Sequence, residues 1–228
     1  MTTFGFVHGG CHGAWQWGPL IYELDELKHR SLVIDLPISN PKLGVVDYAA
    51  SVASAFRSEP DLVLVGHSLG GYVIPFVSEL IPIAKLVFLA GAIQEGAFPG
   101  LPPASSMLLI PPDAMPVGAD GCIRMSADAT KAYFYHDLSE SMRAWATSQL
   151  RPQSALGAVT QRLPRLDPGL SIASIVCTDD RAISPEWAAT AARDALHTEP
   201  YELPGSHSPF LTRPAALAAV LDDIADTR

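Results

Sequence analysis

The chain has 228 residues, of which 48% are apolar, and its formal net charge is −9. Such a length and apolar content suit a globular protein of one or two domains that needs no disulfide staples, and exclude a disordered chain. The acidic balance, with a pI near 5.1, excludes nucleic acid and an anionic membrane surface as main partners, because both require a basic patch.

Three cysteines, Cys11, Cys122 and Cys177, are odd in number and widely spaced, so they form neither a disulfide framework nor a zinc site. The N-terminus, Met1-Thr2-Thr3-Phe4-Gly5, has no basic region followed by an apolar one, so no signal peptide is expected. No apolar run reaches the roughly 18 to 20 residues of a membrane span, and a cytoplasmic location is the default expectation.

In chain order, Phe4 to Val7 read as a buried strand that stops at the glycine loop His8-Gly9-Gly10. Trp17 to Leu27 predict a helix with Leu20, Leu24 and Leu27 on one face. Ser31 to Leu36 predict a second strand closed by Pro37, and Asp47 is expected to cap a helix from Tyr48 to Arg57. Leu62 to Val65 are apolar throughout, as a strand covered on both faces should be. Gly66 to Gly71 separate that strand from a helix over Tyr72 to Leu80, and Lys85 to Ala90 make a fourth strand. The alternation predicts a mostly parallel sheet flanked by helices, with right-handed crossovers.

The alternation then breaks. Residues 91–118 are rich in Pro and Gly, and Ser126 to Leu150 form an amphipathic stretch carrying Tyr133, Phe134, Tyr135 and Trp145. Residues 94–165 are read as a helical cap inserted into a single domain that spans 1–228, since long insertions in compact domains are usually functional. The sheet pattern resumes at Ile172 to Cys177, followed by a helix over Pro185 to Leu196, a strand over Glu199 to Leu203, and a last helix over Pro214 to Ile224.

The sharpest chemical signal is Gly66-His67-Ser68-Leu69-Gly70, a G-x-S-x-G pattern between a buried strand and a helix. A serine on so tight a turn is held with its hydroxyl projecting, and the helix N-terminus supplies donors and the positive end of a dipole. A hydroxyl is a weak nucleophile without a base to take its proton. His207, just beyond the last strand, is the best base. His67 should point away from its neighbour Ser68, His8 and His12 belong to the first loop, and His29, His136 and His197 are expected on solvated helix surfaces. A carboxylate should orient His207. Asp179 and Asp180 both follow the Ile172 to Cys177 strand, and spacing does not choose between them; Glu95 is a weaker substitute. For an oxyanion, the N–H groups of Leu69 and Gly10 are the candidate donors.

These segments together resemble the plant methylesterase and hydroxynitrile lyase group of the α/β-hydrolase superfamily. His8-Gly9-Gly10-Cys11-His12-Gly13-Ala14-Trp15 is similar to its HG-x-C-H-G-x-W loop, and Gly66 to Gly71 to its serine elbow. Leu150-Arg151-Pro152-Gln153-Ser154 is similar to its L-x-R-P-x-S segment, and Cys177 to Ile183 and Gly205-Ser206-His207 to its acid and histidine loops. The resemblance implies an α/β-hydrolase fold with a helical cap, Asp180 as the acid, Gly10 and Leu69 as oxyanion donors, and no metal or organic cofactor. The lyases carry Thr at the position of Gly9 and Lys at that of Ser208, so cyanohydrin cleavage is disfavoured. The cap matches poorly, and the Ala, Arg and Pro usage resembles bacterial members.

The expected activity is ester hydrolysis through Ser68, His207 and Asp180 on a small to medium, apolar or aromatic substrate. His12, Trp15, Tyr133, Phe134 and Trp145 are the candidate pocket residues, the cap aromatics being equally able to pack the cap itself. The alternatives are a non-hydrolytic enzyme of the same fold (a lyase, cyclase or condensing tailoring enzyme) and, from another class, a ligand receptor with a vestigial triad. The expected partner is a small molecule, with a homodimer left open.

Overall fold

The computed structural model describes residues 1–158 and 162–227. Six parallel strands form one sheet in the order β2-β1-β3-β4-β7-β8: β1 is Thr3–Val7, β2 Arg30–Val33, β3 Val63–His67, β4 Lys85–Leu89, β7 Ser171–Cys177 and β8 Tyr201–Leu203. Side chains alternate between its faces with period two. Phe4, Phe6, Val63, Val65, Val87, Leu89 and Ile175 face α1 (Gly18–Glu26) and α8 (Pro214–Asp226), where they meet Trp17, Leu20, Leu24, Leu217 and Leu221. Leu64, Leu86, Phe88 and Val176 face α2 (Val45–Phe56), α3 (Gly70–Val77) and α6 (Pro185–Asp194), where they meet Tyr48, Val52, Phe56, Ile74 and Trp187. Both faces are therefore covered, as the continuously apolar strands require.

Strand order reverses between β1 and β3. In open parallel sheets such a switch point leaves a crevice at the carboxyl ends of the strands, because the two following loops turn to opposite faces. Here those loops are His8-Gly9-Gly10 and the serine turn.

Several boundaries differ from the sequence expectation. β2 stops at Val33, and the chain after it is tied to the first loop instead: the Asp35 carboxylate accepts from the Ala14 N–H, and the Leu36 N–H donates to His8 Nε2. Asp47 is not the cap of α2 but its third residue; Gly44 is the cap, and its N–H donates to the Asp47 carboxylate at 2.9 Å. α1 ends before Leu27, which is exposed rather than buried. The stretch Ser126 to Leu150 is two helices, α4 (Ala127–Tyr133) and α5 (Glu140–Ser148), each capped by a serine hydroxyl, from Ser126 and Ser139.

Both helices lie between β4 and β7, with a two-residue antiparallel pair of β5 (Cys122–Ile123) and β6 (Gln153–Ser154). Residues 159–161 of the expected insertion lie outside the described residues. The insertion is tied to the sheet end, where the Leu109 N–H donates to the Ala182 carbonyl and the Ser184 N–H to that of Met107.

Candidate active site

Four loops at the carboxyl ends of β1, β3, β7 and β8 converge on one cavity of about 190 Å³, lined by residues that include Gly10, Ser68, Leu69 and His207. Ser68 follows β3 directly and has φ 50°, a left-handed conformation that a non-glycine residue holds only under constraint. The constraint is visible in its peptide groups. The Ser68 N–H donates to the Leu89 carbonyl, while its own carbonyl accepts from the N–H groups of Gly71 and Ala92. The flanking glycines are required by close approach. A Cβ on Gly70 would stand 2.5 Å from the Val7 carbonyl oxygen, and one on Gly66 would stand 2.6 Å from that of Gly70. The turn brings α3 to begin at Gly70, so the Leu69 N–H lies at the end of the helix where amides are free to meet an anion.

His207 is buried in the loop after β8, and its Nδ1 lies 2.7 Å from Asp180 Oδ2. The other Asp180 oxygen accepts from the N–H groups of Ala182 and Ile183 at 2.7 and 3.0 Å, which anchors the carboxylate. Since an ionised carboxylate only accepts, Nδ1 carries the proton of this bond, and Nε2 is the nitrogen that is left to act as a base. Nε2 is buried and has no hydrogen-bond partner among the described residues. Asp179 is exposed; its N–H donates to the Gly205 carbonyl, and its side chain is not the one that meets His207. His67 runs from β3 to the back of the same loop, where its Nε2–H donates to the His207 carbonyl at 2.9 Å. Burial is the main reason its pKa falls well below that of a free histidine, so it contributes a neutral support.

The first loop is held similarly. His8 Nδ1–H donates to the Gly9 carbonyl and His8 Nε2 accepts from the Leu36 N–H. Burial lowers its pKa to about 4, so this bridge is neutral.

Of the expected pocket residues, His12 and Phe134 line the cavity. Trp15, Tyr133 and Trp145 are not among its lining residues. Trp15 stacks behind His12, centroids 5.5 Å apart, and Trp145 stands edge-on to Trp15 with 43% of its surface exposed, on the outward side of α5. Tyr133 is packed against the face of the core that holds α1 and α8. Two of the histidines expected on solvated surfaces are engaged instead: His29 is buried and bonded to Asp222, and His136 Nε2–H donates to the Asp179 carbonyl.

Much of the remaining wall went unread in the sequence: Met107, Ile110, Met115 and Met125 from the insertion, Ile183 beyond the acid, and Tyr72 on α3. The methionines are spaced irregularly through Pro-rich and loop sequence, where no periodicity marks an inward face. Among the described residues, no Asp, Glu, Lys or Arg lines the cavity. The described residues contain no group of three His, Cys, Asp or Glu side chains that could hold a metal, and no helix long and apolar enough to cross a membrane.

Known proteins share the fold of this chain. The profile of the "Alpha/beta hydrolase family" matches residues 6–220. The chain is 27% identical to salicylic acid-binding protein 2 of Nicotiana tabacum, over 97% of this chain and 96% of that protein. It is 23% identical to methylesterase 7 of Arabidopsis thaliana, over 99% and 97%. Among solved structures, a methylesterase protein (MES16) from Arabidopsis superposes with a TM-score of 0.82 at 23% identity, with full coverage of both chains.

Proposed function

Because the chain belongs to the alpha/beta hydrolase family, we propose that it is a carboxylic ester hydrolase in which Ser68 is the nucleophile, His207 the base and Asp180 the orienting acid. One observation carries this reading: the buried His207–Asp180 pair leaves an unpartnered imidazole nitrogen in the wall of the cavity that also holds the constrained Ser68.

In the proposed reaction, the Ser68 oxygen attacks the ester carbonyl carbon as His207 Nε2 takes the hydroxyl proton. The carbonyl electron pair moves onto oxygen, where the N–H groups of Gly10 and Leu69 receive it. Collapse expels the alcohol, which leaves with the proton held by His207. Water then attacks the acyl carbon as His207 takes its proton, and the acid is released as His207 returns that proton to the Ser68 oxygen. Asp180 stays ionised throughout and stabilises the imidazolium. A Ser68–His207 hydrogen bond is not needed in the ligand-free enzyme, since such contacts tighten when substrate is bound.

The cavity supports an uncharged substrate with a small apolar acyl or alkyl group. Its volume lies below the range of about 300–1,000 Å³ usual for drug-sized ligands, and a charged group would lose its hydration with no countercharge among the described residues of the wall. We assign residues 94–165 as the cap that supplies much of this wall, within a single domain.

A second reading draws on the free Nε2 itself: the His207–Asp180 pair could withdraw a proton from substrate directly, in a lyase or condensation reaction that spares the serine. Hydrolysis of short p-nitrophenyl esters and labelling by a serine-directed fluorophosphonate separate the two. Turnover and labelling in wild type, both lost in Ser68→Ala, are expected. Activity on a natural substrate kept in Ser68→Ala but lost in His207→Ala would overturn the esterase reading in favour of the second.

A further inference from the structure

Besides the side chains that wall the cavity, the insertion meets the catalytic loops through the short turn between α4 and α5. Phe134 stacks on the His207 imidazole, with centroids 5.5 Å apart and planes inclined by 24°. His136 holds the acid loop through the Asp179 carbonyl, and the Asp137 carboxylate accepts from the Ser206 N–H at 3.1 Å. Tyr135, fully buried between them, places its hydroxyl 2.7 Å from His12 Nε2.

This last contact has a defined proton arrangement. His12 Nδ1 lies 2.6 Å from the Gly10 carbonyl oxygen, which can only accept, so Nδ1 carries the ring proton. Burial holds the ring neutral, lowering its pKa to about 3. His12 Nε2 is therefore bare and accepts from the Tyr135 O–H. The relay runs from the Tyr135 hydroxyl through the imidazole to the Gly10 carbonyl. The other end of the same peptide unit is also held: the Cys11 N–H donates to Gln153 Oε1, from β6, at 2.8 Å. Cys11 itself has φ 59°, a conformation that a side-chain-bearing residue keeps only when its surroundings impose it. Two residues of the insertion, Tyr135 through His12 and Gln153 directly, thus clamp one peptide of the loop that carries Gly10.

We propose that Tyr135, acting through His12, is a positioning residue that locks the first loop in the conformation in which the Gly10 N–H meets the reacting carbonyl oxygen. The proposal rests on the esterase reading and deepens it. Tyr135 is not among the residues lining the cavity, so its effect reaches substrate only through the loop. Gly9 and Gly10 give this loop many alternative conformations, and an oxyanion donor is effective only when it is already aimed.

The test is Tyr135→Phe, which deletes one oxygen and keeps the buried ring. On p-nitrophenyl acetate, kcat is expected to fall by about tenfold to a hundredfold, the usual cost of removing a supporting partner, with KM within about twofold. The rate of fluorophosphonate labelling falls in parallel, because that reaction also builds charge on oxygen. His12→Asn, which puts an amide N–H in the place of Nδ1–H, recovers most of what His12→Ala loses. Two readouts need no substrate. The ¹⁵N spectrum of histidine-labelled wild type has His12 in the Nδ1–H tautomer, and Tyr135→Phe shifts it toward Nε2–H and speeds exchange of the Cys11 amide. An unchanged kcat in Tyr135→Phe, a change confined to KM, or a wild-type His12 protonated on Nε2 overturns the proposal. If wild type neither hydrolyses esters nor labels, the esterase reading has failed, and the tautomer and exchange measurements alone decide whether the lock exists.

Discussion

Replacing Asp180 by Asn tests the proposed chemistry with little disturbance of the fold. Two backbone N–H groups, of Ala182 and Ile183, converge on Asp180 Oδ1. In the variant they can be satisfied only by the amide oxygen, so the amide NH₂ must face His207. His207 Nδ1 then has a donor opposite it and becomes an acceptor, which moves the ring proton to Nε2. A base protonated at Nε2 cannot take the Ser68 proton. The imidazolium also loses its counterion in a buried site. A triad aspartate changed to asparagine typically lowers kcat by about 10⁴, or about 5.4 kcal/mol at 1.36 kcal/mol per decade. Stability should hardly change, because every backbone donor keeps its acceptor. Asp180→Ala instead orphans both donors, at about 1–3 kcal/mol each. The assay is kcat on p-nitrophenyl acetate at pH 7.5, with the thermal midpoint measured on the same samples. Asp180→Asn within tenfold of wild type, or a comparable loss in Asp179→Asn, would refute the reasoning.

Three further outcomes are expected. His8 and His12 are buried neutral, with pKa values lowered by burial to about 4 and about 3, so below their unfolded value of 6.5 the unfolded chain binds more protons than the folded one. Stability should therefore be retained above pH 6.5 and fall as the pH drops toward 4, His8 alone contributing on the order of 3 kcal/mol of that loss; a thermal midpoint that is flat from pH 7 to 4.5 would contradict this. Gly70→Ala drives a methyl into the Val7 carbonyl and should separate the serine turn from β1, reducing activity more than a hundredfold or, by a rough estimate, costing several kcal/mol of stability in urea unfolding; normal activity and stability together would show that the two strand ends can part freely. Met107→Trp should fill the cavity and raise KM for hexanoate esters more than for acetate, and an unaltered chain-length profile would mean that the acyl group lies elsewhere.

The serine turn was legible in the sequence because its requirements are local. A buried strand, a residue forced to positive φ and two glycines without room for Cβ occupy eight consecutive positions, Val63 to Gly70. His207 was legible for a related reason: parallel strands deliver their following loops to one edge, so a histidine just after the last strand had few other places to be. The cap aromatics were legible as aromatic but not as to direction. Tyr133 and Trp145 looked as suitable for the pocket as Phe134, and only the break between α4 and α5 turns Phe134 and Tyr135 inward while leaving Trp145 on the outer side. Read as one amphipathic stretch, Ser126 to Leu150 does not show that break, because Ser139 reads equally well as a polar face residue or as a cap.

From the sequence alone follow the parallel sheet, the order serine, acid, histidine along the chain, and the glycine loop opposite the elbow. Each is set by neighbouring residues or by alternation along the strands. Spacing left two adjacent aspartates open and the family resemblance pointed to Asp180, but the contact of its carboxylate with His207, the methionines that wall the cavity, and the way Tyr135 reaches His12 across 123 residues were decided only in three dimensions. Those contacts join segments whose separation in the chain carries no periodic signal. They exist because the loops after β7 and β8 meet at one edge of the sheet and the insertion folds back over it, where burial favours a partner for most of the polar groups covered.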